Sequence, residues 1–141
     1  MIKEQYVSFE VAKLLEEKGF DNECSGYYNQ ERVLQRLSAC SIKDTLMSPF
    51  YFDCIPAPTH QMAMKWLREM RNLFIEIQCY GCEADKKAHF EYSYVINEYV
   101  KINNGICTIF GLEKRNAKSR FSSYEDAAEA AIKYCLEEII K

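Results

Sequence analysis

Chemistry in this chain would start from its thiols. Cys79-Tyr80-Gly81-Cys82 is the one CxxC string among seven cysteines, and His89 follows it closely. Two thiols at that spacing can chelate zinc at a turn, or cycle between dithiol and disulfide when the first opens a helix. A structural zinc site needs two further ligands, and no second CxxC supplies them. His89 and one of Cys24, Cys54 or Cys107 would have to assemble in space. The plainer reading is two ordinary thiols, Cys79 facing a core and Cys82 in a turn, so no metal or other cofactor is expected. A nucleophilic pair of Cys82 and His89 would also need an oxyanion hole and an orienting carboxylate, and neither is visible locally. The other histidine, His60, falls in the first turn of a helix, where a surface imidazole is ordinary.

Glu98 interrupts an apolar strand face, where a carboxylate could act as acid or base; a place at the rim of the core explains it as well. Lys65, Arg68 and Arg71 share one helical face, and Lys114, Arg115, Lys118 and Arg120 crowd one connection. These seven residues are the candidate contacts for nucleic acid. The net charge of -3, from 18 basic and 21 acidic residues, does not favour that reading. From Thr59 to Lys141 the order helix, strand, strand, strand, helix matches that of double-stranded-RNA-binding domains. Those domains carry lysines at the start of the last helix, whereas this one begins Tyr124-Glu125-Asp126 and would repel phosphate. Phe50-Tyr51-Phe52, between Pro49 and Pro56, is an aromatic run in a connection and the candidate anchor for a protein partner. No P-loop, dinucleotide glycine fingerprint, HExxH, GxSxG or EF-hand string occurs, so motif-bearing enzyme classes are unsupported.

The elements that must position these residues are legible in most of the chain. Ser8 caps a helix with Val11, Leu14 and Leu15 on one face, stopped by Gly19, after which Phe20 folds back on Leu15. Between Cys24 and Asp53, Tyr27-Tyr28 followed by Asn29-Gln30 favours a hairpin. All three prolines lie in Ser48 to Pro58, which requires a non-helical connection. Thr59 caps a second helix that buries Met62, Ala63, Trp66, Leu67 and Met70 and ends at Asn72. Leu73, Ile75, Ile77 and Cys79 then alternate as a strand's core face. A turn from Gly81 to Ala88 leads to a strand with Phe90, Tyr92, Tyr94 and Ile96 on one face. Asn104-Gly105 favours a two-residue hairpin loop, which would set Ile102 opposite Cys107, Tyr99 opposite Phe110 and Glu98 opposite Gly111. Ser122 and Glu125 have capping-box spacing before a last helix that buries Ala128, Ile132, Cys135, Leu136 and Ile139.

The 141 residues, 48% of them apolar, fit a single domain spanning residues 1–141 with enough apolar side chain for a core. Helices and strands do not alternate regularly. The expected class is therefore α+β: an antiparallel sheet of three to five strands, built on a β-meander, with about three helices packed mainly on one face. An odd cysteine count with no apolar run after Met1-Ile-Lys-Glu-Gln-Tyr predicts reduced thiols in a cytoplasm. Cys54 to Met64, as long as any uncharged stretch in the chain, is well short of the roughly 18 residues that span a membrane.

Three strings taken together resemble a group of small uncharacterised proteins from gut Bacteroides-type bacteria and their phages or mobile elements. They run from Tyr6 to Phe20 (YVSFEVAKLLEEKGF), from Pro58 to Glu69 (PTHQMAMKWLRE) and from Ser123 to Tyr134 (SYEDAAEAAIKY). The resemblance implies an intracellular setting, with a viral or prophage origin, and no established activity or catalytic residue. The expected function is non-catalytic binding of another protein, with a homodimer as one form of it. A nucleic-acid-binding domain and a small Cys/His metal or thiol-dependent protein are the alternatives.

Overall fold

A computed structural model describes residues 3–36, 53–84, 87–102, 106–110 and 120–141. Ser8 takes extended backbone angles, and its hydroxyl accepts from the Val11 amide, opening α1 (Phe9–Glu17). That satisfies one of the amides left bare at a helix start. Val11, Ala12 and Leu15 are buried on one face. Gly19, at φ +91°, ends the element, because a left-handed backbone is cheap only without a Cβ. The Phe20 amide then donates to the Leu15 carbonyl at 2.9 Å, and both side chains enter the core as expected.

The hairpin expected after Cys24 is present as β1 (Gly26–Tyr28) and β2 (Leu34–Arg36), with Tyr27 opposite Gln35. The Asn29 side chain shapes its turn by accepting from the Glu31 and Val33 amides. The proline-rich connection supplies β3 (Ile55–Ala57), giving a three-stranded sheet ordered β2-β1-β3. Pro56 is tolerated there because β3 is an edge.

Thr59 caps α2 (His60–Arg71) through the Met62 amide, and Asn72 closes it in the left-handed region at φ 56°. The buried set is His60, Ala63, Trp66 and Leu67. Met70, expected in that stripe, is 65% exposed because burial of the helix stops at Leu67. The chain then enters β4 (Leu73–Ala84), β5 (Lys87–Ile102) and β6 (Ile106–Phe110), a second antiparallel sheet ordered β4-β5-β6. The meander is as expected, but two of its details are not. β4 continues to Ala84, so Cys82 lies in a strand and not in a turn. The β5–β6 ladder pairs Ile102 with Ile106, Lys101 with Cys107, Tyr99 with Ile109 and Glu98 with Phe110, one residue away from the expected register. Two- and three-residue hairpin connections both use Gly, so Asn104-Gly105 alone does not choose between them.

The Tyr124–Tyr134 helix, α3, is capped by Ser123, whose hydroxyl accepts from the Asp126 amide. The expected cap, Ser122, instead bonds the Asp126 carboxylate; two adjacent serines cannot be ranked by residue type. The helix ends in a π-helical turn, Cys135–Ile139. Ala127, Ala128 and Ala131, all fully buried, let α3 lie close to β4 and β5, against which it packs. One apolar cluster joins the three helices to strands of both sheets. Its centre holds Leu15, Leu67, Leu73, Ile132 and Leu136, each contributing about 1.5–3 kcal/mol by leaving water. The class is α+β, with the strands divided between two three-stranded sheets.

Candidate functional site

The helix-facing side of β5 becomes steadily more exposed toward the β4–β5 turn. Ile96 is 4% exposed, Tyr94 9%, and Phe90 67%. Cover ends at Phe121, whose ring lies 6.0 Å from that of Tyr94 and whose backbone exchanges hydrogen bonds with Tyr92 at 2.8 and 2.9 Å. Beyond Tyr92 the hairpin continues for about 17 Å, from the rise per residue of a strand. Tyr80 is 48% exposed in this segment. Phe90 faces Gly81 across the ladder and Tyr80 faces Glu91, so the two rings point from opposite faces of the hairpin. The exposed large apolar residues among those described are Val33, Met70, Tyr80 and Phe90. Half of them are at this tip.

Cys79 keeps the core-facing side of β4, opposite Tyr92, but it is exposed and not buried as expected, because cover ends at that level. It hydrogen-bonds Tyr92, whose pKa is raised by partial burial and then by this thiol. Since β4 runs from Cys79 through Cys82, the CxxC is extended and lacks the turn a chelating pair needs. His89 opposes Cys82 in the ladder, but its imidazole bonds the Glu91 carboxylate at 3.3 Å. Among the described residues no group of three His, Cys, Asp or Glu could hold a metal ion. Burial pushes Cys24 up to about 11 and Cys135 up to about 12. Cys54 is raised by burial and by Asp53. All three shifts are upward, the opposite of what a nucleophile requires. Glu98, half-buried, sits between Leu73 and Phe110 in the sheet.

Of the basic residues, Lys65 lies 3.8 Å from Glu69, and Arg71 donates to the Lys18 carbonyl while lying over the Trp66 ring. Arg120 donates to Glu91 at 2.7 Å. Arg68 is exposed. Lys114, Arg115 and Lys118, like Phe50, Tyr51 and Phe52, lie outside the described residues.

His60 is not a surface residue: it is 7% exposed. Its Nε2 lies 2.7 Å from Glu129 Oε2, and the other carboxylate oxygen accepts from the Ser8 amide at 3.0 Å. Burial by itself would raise the Glu129 pKa, but the His60 and Ser8 hydrogen bonds outweigh it and hold the group below its ordinary value. Tyr28 donates to the Val7 carbonyl alongside, with its own pKa raised by burial and then by the Glu129 charge. One carboxylate thus ties α3 to the starts of α1 and α2. Sequence spacing missed this junction, and the available signal was a histidine directly after a helix cap facing a lone acid in an alanine-rich stripe. With each polar group paired, the junction reads as a structural tie. No family model, curated protein or solved structure matches the chain.

Proposed function

We propose that this is a non-catalytic accessory protein that acts by binding another protein, with the tip of the β4–β5 hairpin as its contact. The observation that carries the reading is the exposure of Phe90 and Tyr80 on opposite faces of a hairpin that outruns its helix cover. Aromatic side chains left in water cost hydration free energy that a partner's pocket recovers, and they are the usual anchors of interfaces. The three resembling strings support an intracellular, phage or mobile-element setting. The test compares the unsubstituted protein with a Phe90→Ser variant as baits in lysate of the source cells. The reading expects a discrete protein retained by the unsubstituted bait and lost with the variant, at equal circular dichroism. Identical capture by both baits removes the tip as the contact.

A further inference from the structure

β4 ends its sheet and, among the described residues, pairs with a strand on one side only. The direction of its free backbone groups follows from three hydrogen bonds. The Tyr99 amide donates to the Asn72 carbonyl, toward β4, whereas the Tyr92 amide and carbonyl bond Phe121, away from it. In an antiparallel ladder these directions alternate. Asn72, Phe74, Glu76, Gln78 and Tyr80 therefore bond inward to β5. Leu73, Ile75, Ile77, Cys79 and Gly81 present N–H and C=O outward along the edge. Edges are commonly blunted by lysine, proline or a bulge. β4, LFIEIQCYGCEA, holds neither lysine nor proline, and its pairing with β5 runs without a break from Leu73 to Ala84.

We propose that this edge pairs with β4 of a second copy of the chain, antiparallel, about a two-fold axis through Ile77, joining two three-stranded sheets into one of six. The edge is complementary to itself in that register. Ile77 meets Ile77, Ile75 meets Cys79, Phe74 meets Tyr80 and Glu76 meets Gln78, so apolar positions oppose apolar ones and no like charges face each other. Axes through Glu76 or Gln78 also keep outward groups opposite outward groups, but the first sets Glu76 against Glu76 and the second sets Glu76 against Tyr80 and Leu73 against Glu83. Moving the axis to Ile75 sets Glu76 against Phe74, and moving it to Cys79 sets Glu83 against Ile75. The occupant is a second copy because the matching sequence is β4 itself. The contact shares Tyr80 with the tip but does not use Phe90, so Phe90→Ser tells the two apart.

The molecular mass in solution, by light scattering or sedimentation over a wide concentration range, provides the first test. The unsubstituted protein is expected to reach the mass of two chains. Cys79→Pro removes an outward amide at an edge position, where proline is tolerated, and is expected to give one chain with unchanged circular dichroism. Phe90→Ser is expected to remain dimeric. The register is read from Ile75→Cys under mild oxidation, with disulfides mapped by mass spectrometry. The introduced thiol is expected to link to Cys79. Within one strand those positions are about 13 Å apart, too far for a disulfide, so that link reports two chains. A single-chain mass at every concentration, a dimer unaffected by Cys79→Pro, loss of the dimer in Phe90→Ser, or a Cys79 to Cys79 link in place of the expected one would each overturn the proposal.

Discussion

His60 and Glu129, 69 residues apart in the chain, meet at 2.7 Å, at a point where three helices are joined. The Glu129 pKa is lowered in the folded state. Its stabilisation is therefore present above the ordinary carboxylate value of 4.5 and is lost as pH falls through the depressed folded value. Glu129→Gln is expected to destabilise the protein by about 1–3 kcal/mol near neutrality, since it leaves poorly paired donors at a buried site. It should also flatten the acid limb of the stability profile. Urea titrations from neutral to acid pH check both; an unchanged acid limb would show that other carboxylates set it.

Thiol accessibility separates the cysteines. A disulfide-exchange reagent applied to the native protein at mildly alkaline pH is expected to modify Cys79 while sparing Cys24 and Cys135, whose thiols sit at about 11 and about 12. Peptide mapping reads the order. Adding denaturant should release the protected pair together, because both belong to the one core.

Gly26 marks a close approach between segments. A Cβ there would stand 2.5 Å from the Tyr6 ring and 3.0 Å from the Ala57 carbonyl oxygen. Gly26→Ala is expected to cost about 1–3 kcal/mol through overpacking and to displace Tyr6 from its 2.8 Å hydrogen bond with Ser25. Thermal melting measures the loss. Ser25→Ala, made separately, distinguishes lost space from the lost hydrogen bond, because it removes the bond without adding a Cβ.

Two residues on α2 test where its buried face ends. Leu67 has no exposure and Met70 is 65% exposed. Leu67→Ala is expected to cost about 2–5 kcal/mol, and Met70→Ser to stay within about 0.5 kcal/mol. A comparable loss at Met70 would mean that its side chain is covered in solution.

Local patterns in the sequence determined the helix starts at Ser8 and Thr59, the stops at Gly19 and Asn72, the hairpin after Cys24 and the meander, because caps, glycine and alternation act over a few residues. The α+β class followed from their order. Details that depend on the length of an element or on distant neighbours did not. Whether Asn104-Gly105 closes two or three residues changes every β5–β6 partner, and whether Cys79 is covered depends on how far α3 and Phe121 reach along β5. His60 looked like a surface residue because nothing adjacent in the chain reveals Glu129. Pairings across 69 residues, the exposed Phe90 and Tyr80 and a β4 edge unpaired among the described residues depend on how distant elements pack, and tertiary structure alone decides that.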